Sequence, residues 1–516
     1  MSISLIQYHN LTSYQRDKIA GHYLDWENQP TLYKTYPNVE PFLLPRDIKL
    51  PEKKLSSLLK EKTTSTNNRS TFLNIDDLSR IFLLTYSLTN RVKHSGGEFF
   101  YRSAASAGAL YPTEIYVAVR KVKGVDDGLY HFSIAHHGLF PLRKENLSPQ
   151  IIKSIQLKKE QESVLIFFLS VIFFRSAWKY RERAYRYLLL DTGHLLENLV
   201  LALRSLDLPF LLSYEFNDQK VNQLLGLDQT KEASLATSQV LNSAFASEEV
   251  RQEKRELSKN FPQASCVAKK EVDYPIIREI HTAGYKMNLI SEPKLNMITA
   301  LGISTKNWTE INQSAKWPEV LNYPESVFQR RSRRNYLSEP ISPECFLALI
   351  NSLKPSDFEN AAGSLDYFHS LVIGLLIDQA EGFTPGFYLI DIFSAQVGIV
   401  KAGSFINNMS HVCLDQTWLS RASLLFLFLT NLETLDHHWG PRGYRYALMT
   451  AGRLGERLYL TATALGLGCC GIGAFYDDEA AKLLDLNKHS RLLYLVAVGT
   501  IEAYKIKTQT KKEEGW

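Results

Sequence analysis

A turn in the N-terminal half of the chain combines arginine, serine and glycine just before an apolar stretch. In FYRSAASAGALYPTEIYVAV (99–118), Arg102, Ser103, Ser106 and Gly108 precede residues typical of a buried β-strand. Small residues let backbone N–H groups approach an anion or a flat ring, and an arginine can hold a phosphate through two hydrogen bonds. The pattern predicts a ligand-binding loop, although an ordinary tight turn before a strand fits the spacing equally well.

Four arginines and a serine lie close together later in the chain, in FQRRSRRNYLSEPISPECF (328–346). If this segment is extended, Arg330, Ser332 and Arg334 share one side and the other two arginines face the opposite way. The arrangement predicts a phosphate cradle. The alternatives are a solvated basic patch or a contact with nucleic acid.

Glycines are concentrated in GLGCCGIGAFYDD (466–478), at Gly466, Gly468, Gly471 and Gly473. They allow the backbone to pass close to a ligand. The spacing is not the GxGxxG of a dinucleotide-binding turn, so it does not predict a Rossmann domain. We interpret Cys469 and Cys470 as small buried side chains, since adjacent cysteines rarely form an unstrained disulfide.

The elements around these segments are repeated within the chain at an offset of about 259 residues. RERAYRYLLLDTGHLLENLVLALRSLDLP matches GPRGYRYALMTAGRLGERLYLTATALGLG, so Tyr185-Arg186-Tyr187 recurs as Tyr444-Arg445-Tyr446. In both copies an apolar run, at 164–174 and 424–432, precedes a stretch with helical periodicity over roughly six turns. We prefer duplication to the alternative of two unrelated amphipathic helices that share a YRY.

The order of elements in each copy predicts an α+β fold with helices packed on a mixed sheet. Two such copies predict a pseudo-dimer within one chain. We place the first copy at 71–242 and the second copy at 321–516, with an N-terminal extension at 1–70 and a linker at 243–320. The highly charged SEEVRQEKRELSKN (247–260) fits a linker or a solvated helix.

The composition is that of an ordinary soluble protein, with 45% hydrophobic and 22% charged residues and a formal net charge of +5 over 516 residues. So small a net charge argues against a dedicated nucleic-acid-binding protein. Five cysteines with no CxxC pair predict neither disulfides nor a metal site. No signal peptide is recognisable, and the apolar runs are too short to span a bilayer. We therefore expect a cytoplasmic protein that binds neither membranes nor nucleic acid.

Together these segments resemble the nitroreductase superfamily, and more closely its branch of SagB-type dehydrogenases and McbC-like azoline oxidases. In the first copy the resemblance rests on LDWENQP (24–30), RSAASAGALYPTEIYV (102–117), WKYRERAYRY (178–187) and DTGHLLENLVLAL (191–203). In the second copy it rests on RRSRRNYLSEPIS and GIGAF. The resemblance implies a fold that binds FMN between two subunits. One subunit supplies the Arg-x-Ser-x-Arg start and the glycines, and the other supplies the serine-containing loop.

The two copies keep complementary parts of this pattern. The second copy keeps the arginine segment (330–334), with Arg330, Ser332 and Arg334, and the glycine segment (471–473), Gly471-Ile472-Gly473. The first copy keeps the serine loop (102–108), with Arg102, Ser103, Ser106, Ala107 and Gly108. At the corresponding places the first copy has PFLLSYEFND (209–218) and the second has NAAGSLD (360–366). The resemblance therefore implies one FMN site per chain, and we expect the opposite site to be degenerate.

Lys179 and Tyr180 resemble the Lys-Tyr pair that azoline oxidases place near the flavin, and the second copy has His438 and Trp439 there. Oxidising an azoline ring needs a hydride acceptor, which FMN would provide, and a base for the neighbouring proton. Either residue could be this base if its pKa is brought down towards working pH. On a strand the two side chains would point in opposite directions, with one catalytic and the other structural. The alternative is a surface lysine beside a packed tyrosine. We interpret His194 as an ordinary helix residue.

The resemblance implies an FMN-dependent oxidoreductase that converts a thiazoline or oxazoline in a peptide or carrier-bound peptide to the thiazole or oxazole. Molecular oxygen would reoxidise the flavin, and the implied partner is a cyclodehydratase complex. One alternative is an FMN-dependent NAD(P)H reductase of a dehydroamino acid, nitro or enone group. Another is a flavin-free scaffold subunit of a modifying complex. The chain would be a monomeric pseudo-dimer or a homodimer.

Overall fold

The computed structural model describes residues 3–19, 21–60, 73–94, 97–143, 163–241, 261–285, 295–355, 359 and 362–502. The charged stretch at 247–260 and residues 360–361 lie outside this range. The strands are, in chain order, β1 (Phe42–Leu43), β2 (Leu88–His94), β3 (Gly97–Arg102), β4 (Thr113–Val119), β5 (Gly128–Ser133), β6 (Gly138–Arg143), β7 (Ser163–Ile172), β8 (Phe210–Ser213), β9 (Glu232–Leu241), β10 (Trp308–Glu310), β11 (Val372–Ile377), β12 (Gly386–Asp391), β13 (Gln396–Ala402), β14 (Leu424–Asn431), β15 (Gly468–Ile472) and β16 (Ser490–Gly499).

The strands form two seven-stranded sheets of the same design and one separate hairpin. The sheet orders are β1-β6-β5-β4-β7-β9-β8 and β10-β13-β12-β11-β14-β16-β15, and β2 pairs with β3. The expected α+β class and the tandem arrangement are confirmed. The expectation of a mixed sheet is wrong, because the strand pairs within both described sheets are antiparallel. Short connections such as those between β4, β5 and β6 favour antiparallel pairing.

The helices are α1 (Leu5–Leu11), α2 (Leu55–Lys60), α3 (Ile75–Thr85), α4 (Phe173–Tyr180), α5 (Ala184–Ser205), α6 (Asp218–Leu225), α7 (Pro275–Ala283), α8 (Met297–Ala300), α9 (Tyr323–Gln329), α10 (Pro343–Leu353), α11 (Ile406–Val412), α12 (Leu432–Trp439), α13 (Gly443–Ala464) and α14 (Asp477–Leu483). The two apolar runs form the buried central strands β7 and β14, as expected. Each is followed by a short helix, α4 or α12, and then by a 22-residue helix, α5 or α13, whose length matches the predicted six turns.

The two long helices pack against each other through equivalent glycines. A Cβ on Gly193 of α5 would lie 2.2 Å from the Met449 carbonyl oxygen, and one on Gly452 of α13 would lie 2.2 Å from the Leu190 carbonyl oxygen. Helix backbones can approach this closely only where side chains are absent. The pair therefore marks the axis that relates the two copies.

Each copy also clasps a buried aspartate of the other. Arg183 and Arg186, at the start of α5, bind Asp477 with N···O distances of 2.7 and 2.6 Å. The equivalent arginines of the second copy, Arg442 and Arg445, bind Asp218 at 2.6 Å each. Removing one partner would leave a buried charge uncompensated, which costs about 3–5 kcal/mol in other proteins. These clasps thus hold the copies in one relative position.

The similarity of the copies extends upstream of the predicted boundaries. His9 of α1 lies 3.0 Å from the Tyr444 hydroxyl, and His281 of α7 lies 3.3 Å from the Tyr185 hydroxyl, both through Nδ1. Edge strand β1 lies within the predicted extension at 1–70, and β10 lies within the predicted linker at 243–320. Both segments thus contribute to the sheets, while the division at 70, 242 and 320 stays a prediction.

The described residues contain neither a membrane-spanning helix nor a cluster of metal-ligating side chains. None of the helices combines the length and the apolar character that crossing a lipid bilayer requires. Within the same residues, no three His, Cys, Asp or Glu side chains are grouped so that they could hold a metal ion.

Candidate functional site

The glycine segment lies at the end of β15 and packs on tyrosines from both copies. A Cβ on Gly471 would lie 1.7 Å from the Tyr494 hydroxyl, and one on Gly473 would lie 2.6 Å from Cε1 of Tyr187. Neither position admits a side chain unless the tyrosine moves. The Tyr187 hydroxyl also donates a 3.2 Å hydrogen bond to the Gly473 carbonyl. Because Tyr187 belongs to α5 of the first copy, the glycine segment lies at the interface between the copies.

The arginine segment runs beside the glycine segment. Beyond the end of α9 the chain is extended, and Ser332 forms a parallel β-bridge with Cys469. The hydroxyl of Tyr459 lies 2.8 Å from Ser332 Oγ and accepts a 2.7 Å hydrogen bond from the Gly471 N–H. One tyrosine of α13 therefore joins the two segments that the sequence predicted to share a site.

Arg330 connects the arginine segment to the serine loop. Its guanidinium is buried and donates from Nε to the Ser103 carbonyl at 2.6 Å and from Nη2 to the Arg102 carbonyl at 2.9 Å. The serine loop of the first copy and the arginine segment of the second are thus in direct contact, as the complementary-copies prediction requires.

Arg102 and Ser103 face the protein interior. Arg102 donates from Nη1 to the Tyr86 hydroxyl at 2.5 Å and from Nη2 to the Leu32 carbonyl at 2.6 Å. Ser103 donates to the Thr85 carbonyl at 3.1 Å. Both residues are almost completely buried. For them the tight-turn interpretation fits better than direct contact with a ligand, and we regard them as anchors of the loop.

Ser106, Ala107 and Gly108 form the outer part of the serine loop, and a buried aspartate of α5 holds them. The Asp191 carboxylate accepts hydrogen bonds from Ser106 Oγ at 2.6 Å and from the Ala107 N–H at 3.0 Å. Gly108 has φ +63°, a left-handed conformation that glycine adopts without strain, and it is exposed. Hydrogen bonds to the buried Asp191 therefore fix the position of the exposed backbone of this loop.

Lys179 and Tyr180 lie at the end of helix α4, so the expectation that they belong to a strand is wrong. The long apolar run ends its strand at Ile172, and a helix starts at the next residue with no side-chain cap to signal it. Successive residues of a helix diverge by about 100°, which allows both side chains to turn towards the same loop. A Cβ on Gly108 would lie 2.8 Å from the Tyr180 hydroxyl and 3.3 Å from Lys179 Nζ. Both residues are therefore beside the serine loop.

Charged groups of both copies affect the pKa of Tyr180. Burial raises its pKa, and the nearby Asp191 and Tyr14 raise it further, whereas the positive charge of Arg334 opposes the shift. The phenol therefore stays protonated at neutral pH. The electrostatic contribution of Arg334 also places the exposed end of the arginine segment in the same neighbourhood as Tyr180. Arg334 is itself exposed and lies over Trp418, with Cζ 5.6 Å from the ring centroid.

The equivalent place on the opposite side of the pseudo-dimer is filled by aromatic rings. Tyr214 directly follows β8 as Gly473 follows β15, so a tyrosine replaces the glycine. Its ring stacks on Tyr367 with centroids 4.1 Å apart and planes inclined by 18°. Tyr446, the counterpart of Tyr187, lies 4.9 Å from Tyr367, and Trp439 occupies the helix end that corresponds to Tyr180. The side that carries Gly473 therefore has a tyrosine at the equivalent position of the other side, packed among further aromatic rings.

Other residues singled out in the sequence have structural surroundings. Cys469 and Cys470 are free thiols, and burial raises the pKa of each, so neither is an activated thiolate. His194 is buried between Glu456 and Tyr494. Asp191 and Tyr459 were not among the residues that the sequence predicted to form the site. Comparing the two copies points to Asp191, because the second copy has Thr450 at the equivalent position.

Burial of Asp191 predicts a distinctive dependence of stability on pH. Desolvation raises its pKa from 3.8 to about 7, against the lowering effect of Ser106 and Ala107. Between about pH 4 and pH 7 the folded protein keeps this proton while the unfolded chain releases it, so the free energy of unfolding falls as pH rises, by at most about 4 kcal/mol. We expect Asp191→Asn to remove this component, so that its melting temperature relative to the wild type increases from pH 5 to pH 8.

The matched control for this experiment is Asp17→Asn, which removes an exposed carboxylate. Its melting temperature should follow the wild type at both pH values. Parallel pH profiles for Asp191→Asn and the wild type would contradict the assignment of a buried, proton-retaining carboxyl.

The comparisons with known proteins agree with this architecture. The model of the nitroreductase family matches residues 49–238 and 379–500. The structure of a protein from Anabaena variabilis that carries the name nitroreductase superposes with a TM-score of 0.76 at 26% identity, covering 97% of this chain and 100% of that one. The tandem arrangement is therefore shared over the full length of both.

Two curated relatives match one part of the chain each. A Methanocaldococcus jannaschii protein named as a nitroreductase, MJ1384, is 26% identical over 187 residues, which cover 34% of this chain and 90% of that protein. The trifolitoxin-processing protein TfxB of Rhizobium leguminosarum bv. trifolii is 30% identical over 177 residues, 32% of this chain and 46% of TfxB. The alignment thus spans less than half of TfxB. With its family model matched in both copies and its fold shared along the whole chain, the protein belongs to the nitroreductase family.

Proposed function

We propose that the chain binds one FMN between its two copies and oxidises azoline rings in a peptide. The observation that carries the proposal is the asymmetry of the pseudo-dimer. One side brings together the arginine segment, the glycine segment, the serine loop and the pair Lys179-Tyr180. On the other side Tyr214 and Tyr367 fill the equivalent place. The two sides thus carry different residues at equivalent positions, as expected if only one of them holds a ligand.

The residues on the side of the glycine segment suit a phosphate-bearing flat ring. The exposed Ser332 and Arg334 would hold the phosphate, since guanidinium and hydroxyl groups are good phosphate donors. Arg330, which the sequence also predicted to bind the phosphate, has its guanidinium buried on the Ser103 and Arg102 carbonyls and would instead join the arginine segment to the serine loop. The glycine segment and the loop Ser106–Gly108 would contact the ring, because at Gly471, Gly473 and Gly108 the backbone carries no side chain of its own. Arg102 and Ser103 would support the loop from behind.

Conversion of an azoline to an azole removes a hydride from one ring carbon and a proton from the neighbouring atom. FMN, when bound, supplies the hydride acceptor. The chain must then supply a group that takes the proton, and Lys179 and Tyr180 are the candidates nearest the serine loop. The raised pKa of Tyr180 favours a phenol that donates a hydrogen bond. We propose Lys179, whose Nζ lies 5.5 Å from the Tyr180 ring centroid, as the proton acceptor, a role that it can play only as the neutral amine because an ammonium group has no lone pair.

A peptide substrate is supported by the similarity to a trifolitoxin-processing protein. An azoline arises when a cysteine, serine or threonine side chain cyclises onto the preceding peptide bond with loss of water. The enzyme would therefore act after a cyclodehydratase, and we propose that it works in a complex with one. Its substrate would be a precursor peptide or a carrier-bound peptide.

The decisive experiment begins with the flavin content of the purified protein, which we expect to be one FMN per chain. The loaded protein is then incubated in air with a synthetic peptide that contains a thiazoline. We expect mass spectrometry to show the loss of two hydrogen atoms per ring. A protein without flavin would favour the scaffold alternative, and a content of two FMN per chain would contradict the composite site.

A flavin reductase is the second candidate, favoured by the similarity to proteins named as nitroreductases. It would take electrons from NAD(P)H and pass them to a nitro, enone or dehydroamino-acid group. Anaerobic addition of NADPH to the loaded protein distinguishes the two candidates. Rapid loss of the flavin absorbance would support the reductase, whereas slow loss together with oxidation of the thiazoline peptide would support the oxidase.

A further inference from the structure

A buried hydrogen-bonded chain of side chains crosses between the long helices and ends at the glycine segment. His194 of α5 lies with Nδ1 2.6 Å from Glu456 Oε2 of α13 and with Nε2 3.0 Å from the hydroxyl of Tyr494 on β16. Tyr494, with 6% of its surface exposed, is the most accessible of the three. These hydrogen bonds therefore link the first copy to the second through buried side chains.

The polarity of this chain follows from what each group can donate. A carboxylate only accepts hydrogen bonds, so Nδ1 of His194 must carry a proton towards Glu456. In the neutral imidazole Nε2 is then an acceptor, and Tyr494 can donate to it. Burial raises the pKa of Tyr494 well above its usual value, which keeps that hydroxyl proton in place. Glu456 thus fixes the tautomer of His194, and His194 fixes the Tyr494 hydroxyl.

Two glycines clear the space that this arrangement needs. A Cβ on Gly455 would lie 2.8 Å from Cε1 of Tyr494 and 3.1 Å from Nε2 of His194, and a Cβ on Gly471 would meet the Tyr494 hydroxyl itself at 1.7 Å. The hydroxyl therefore rests against the backbone of Gly471. Any shift of the Tyr494 ring moves the surface on which the glycine segment lies.

The opposite side of the pseudo-dimer lacks this chain. The counterpart of His194 is Arg453, which instead forms a 2.7 Å ion pair with Glu197, the counterpart of Glu456. Phe428 and Leu169 are equivalent residues of the two central strands. Phe428 pairs with Tyr494, whereas Leu169 pairs with Ala236, so the first copy has an alanine at the position of Tyr494. The His–Tyr connection thus accompanies the glycine segment and is absent where Tyr214 and Tyr367 fill the space.

We propose that His194 is a positioning residue for the cofactor site. Oriented by Glu456, it holds the Tyr494 hydroxyl against Gly471 and so fixes the glycine segment at the place where the FMN ring would lie. The inference rests on the proposed function of one FMN per chain. His194 touches neither the serine loop nor the arginine segment. Through Tyr494 it would nevertheless affect both the affinity for FMN and the environment of the flavin ring.

The test measures the dissociation constant and the visible absorption spectrum of FMN with His194→Gln, Tyr494→Phe and the double variant. Tyr494→Phe keeps the ring and removes only the hydroxyl, so it leaves a measurable protein if His194→Gln fails to fold. We expect each single variant to raise the dissociation constant by about tenfold and to shift the flavin absorption bands. The double variant should lose no more than the more severe single variant, because both act through one contact.

The matched control is His281→Gln, another buried histidine that contacts a tyrosine, Tyr185, away from the glycine segment. It should leave the affinity and the spectrum unchanged. Unaltered FMN affinity and spectrum in Tyr494→Phe and in folded His194→Gln, with a wild type that binds FMN, would overturn the positioning role alone. A wild type that binds no FMN would overturn the proposed function and this inference together.

Discussion

Replacing Gly473 by tyrosine is expected to abolish FMN binding while leaving the protein folded. A Cβ at this position would already lie 2.6 Å from the Tyr187 ring, so a tyrosine side chain can be accommodated only if Tyr187 moves and the surface beside the glycine segment changes. We expect the affinity for FMN to fall by at least about 100-fold, or roughly 2.7 kcal/mol. The measurements are the FMN content of the purified variant and a titration of the apoprotein.

The opposite side of the molecule supplies the evidence that such a variant can fold. Tyr214 stands at the equivalent position, where its ring lies 6.0 Å from Tyr446 and stacks on Tyr367. The matched control is Tyr214→Gly, which should keep one FMN per chain, since the arginine segment has no counterpart in the first copy. Full FMN binding by folded Gly473→Tyr would show that the ring does not lie beside the glycine segment.

The sequence predicted the tandem arrangement of two similar copies because the internal repeat can be recognised without knowledge of tertiary contacts. The central strands and the two 22-residue helices were visible as repeated apolar patterns. Their periodicity and length follow directly from burial. The structure also shows why matching residues recur: Arg186 and Arg445 each clasp an aspartate of the other copy.

The individual site residues were harder to predict because one residue type serves several purposes. Arg102 is a phosphate donor by type, yet its guanidinium binds a tyrosine and a backbone carbonyl inside the protein. Lys179 and Tyr180 follow an apolar run with no capping residue, so nothing in the local sequence separates the strand from the helix. The spatial neighbours of these side chains come from distant segments, and only the fold brings them together.

Tyr214 illustrates information that was present in the sequence but needed the structure for its interpretation. The alignment of the copies showed PFLLSYEFND in place of the glycines, which predicted only that the second site is degenerate. In the structure, Tyr214 stands at the position of Gly473 and its ring stacks on Tyr367. If FMN binds beside the glycine segment as we propose, this aromatic packing would exclude a second FMN from the opposite side, and it also stabilises the interface.

Removing the Lys179 amine is expected to lower the rate of thiazoline oxidation by about 10²- to 10⁴-fold, the usual contribution of a general base. The FMN content should remain that of the wild type, because Lys179 is not among the groups that we propose to hold the phosphate or the ring. We expect a smaller loss for Tyr180→Phe, since burial keeps the phenol protonated and it cannot itself accept the proton at neutral pH. The rates are measured with a synthetic thiazoline peptide, together with the FMN content of each variant.

The second copy provides the matched control for this prediction. His438 occupies the position of Lys179 at the end of α12, beside the side that Tyr214 and Tyr367 fill, so His438→Ala should retain wild-type rates. Equal losses in Lys179→Ala and Tyr180→Phe would indicate that the two side chains act as one unit. Wild-type rates in flavin-loaded Lys179→Ala would refute the assignment of the base. The helix ends that carry Lys179 and Tyr180 in the first copy carry His438 and Trp439 in the second. Comparing the variants therefore tests whether proton transfer depends on the first copy alone.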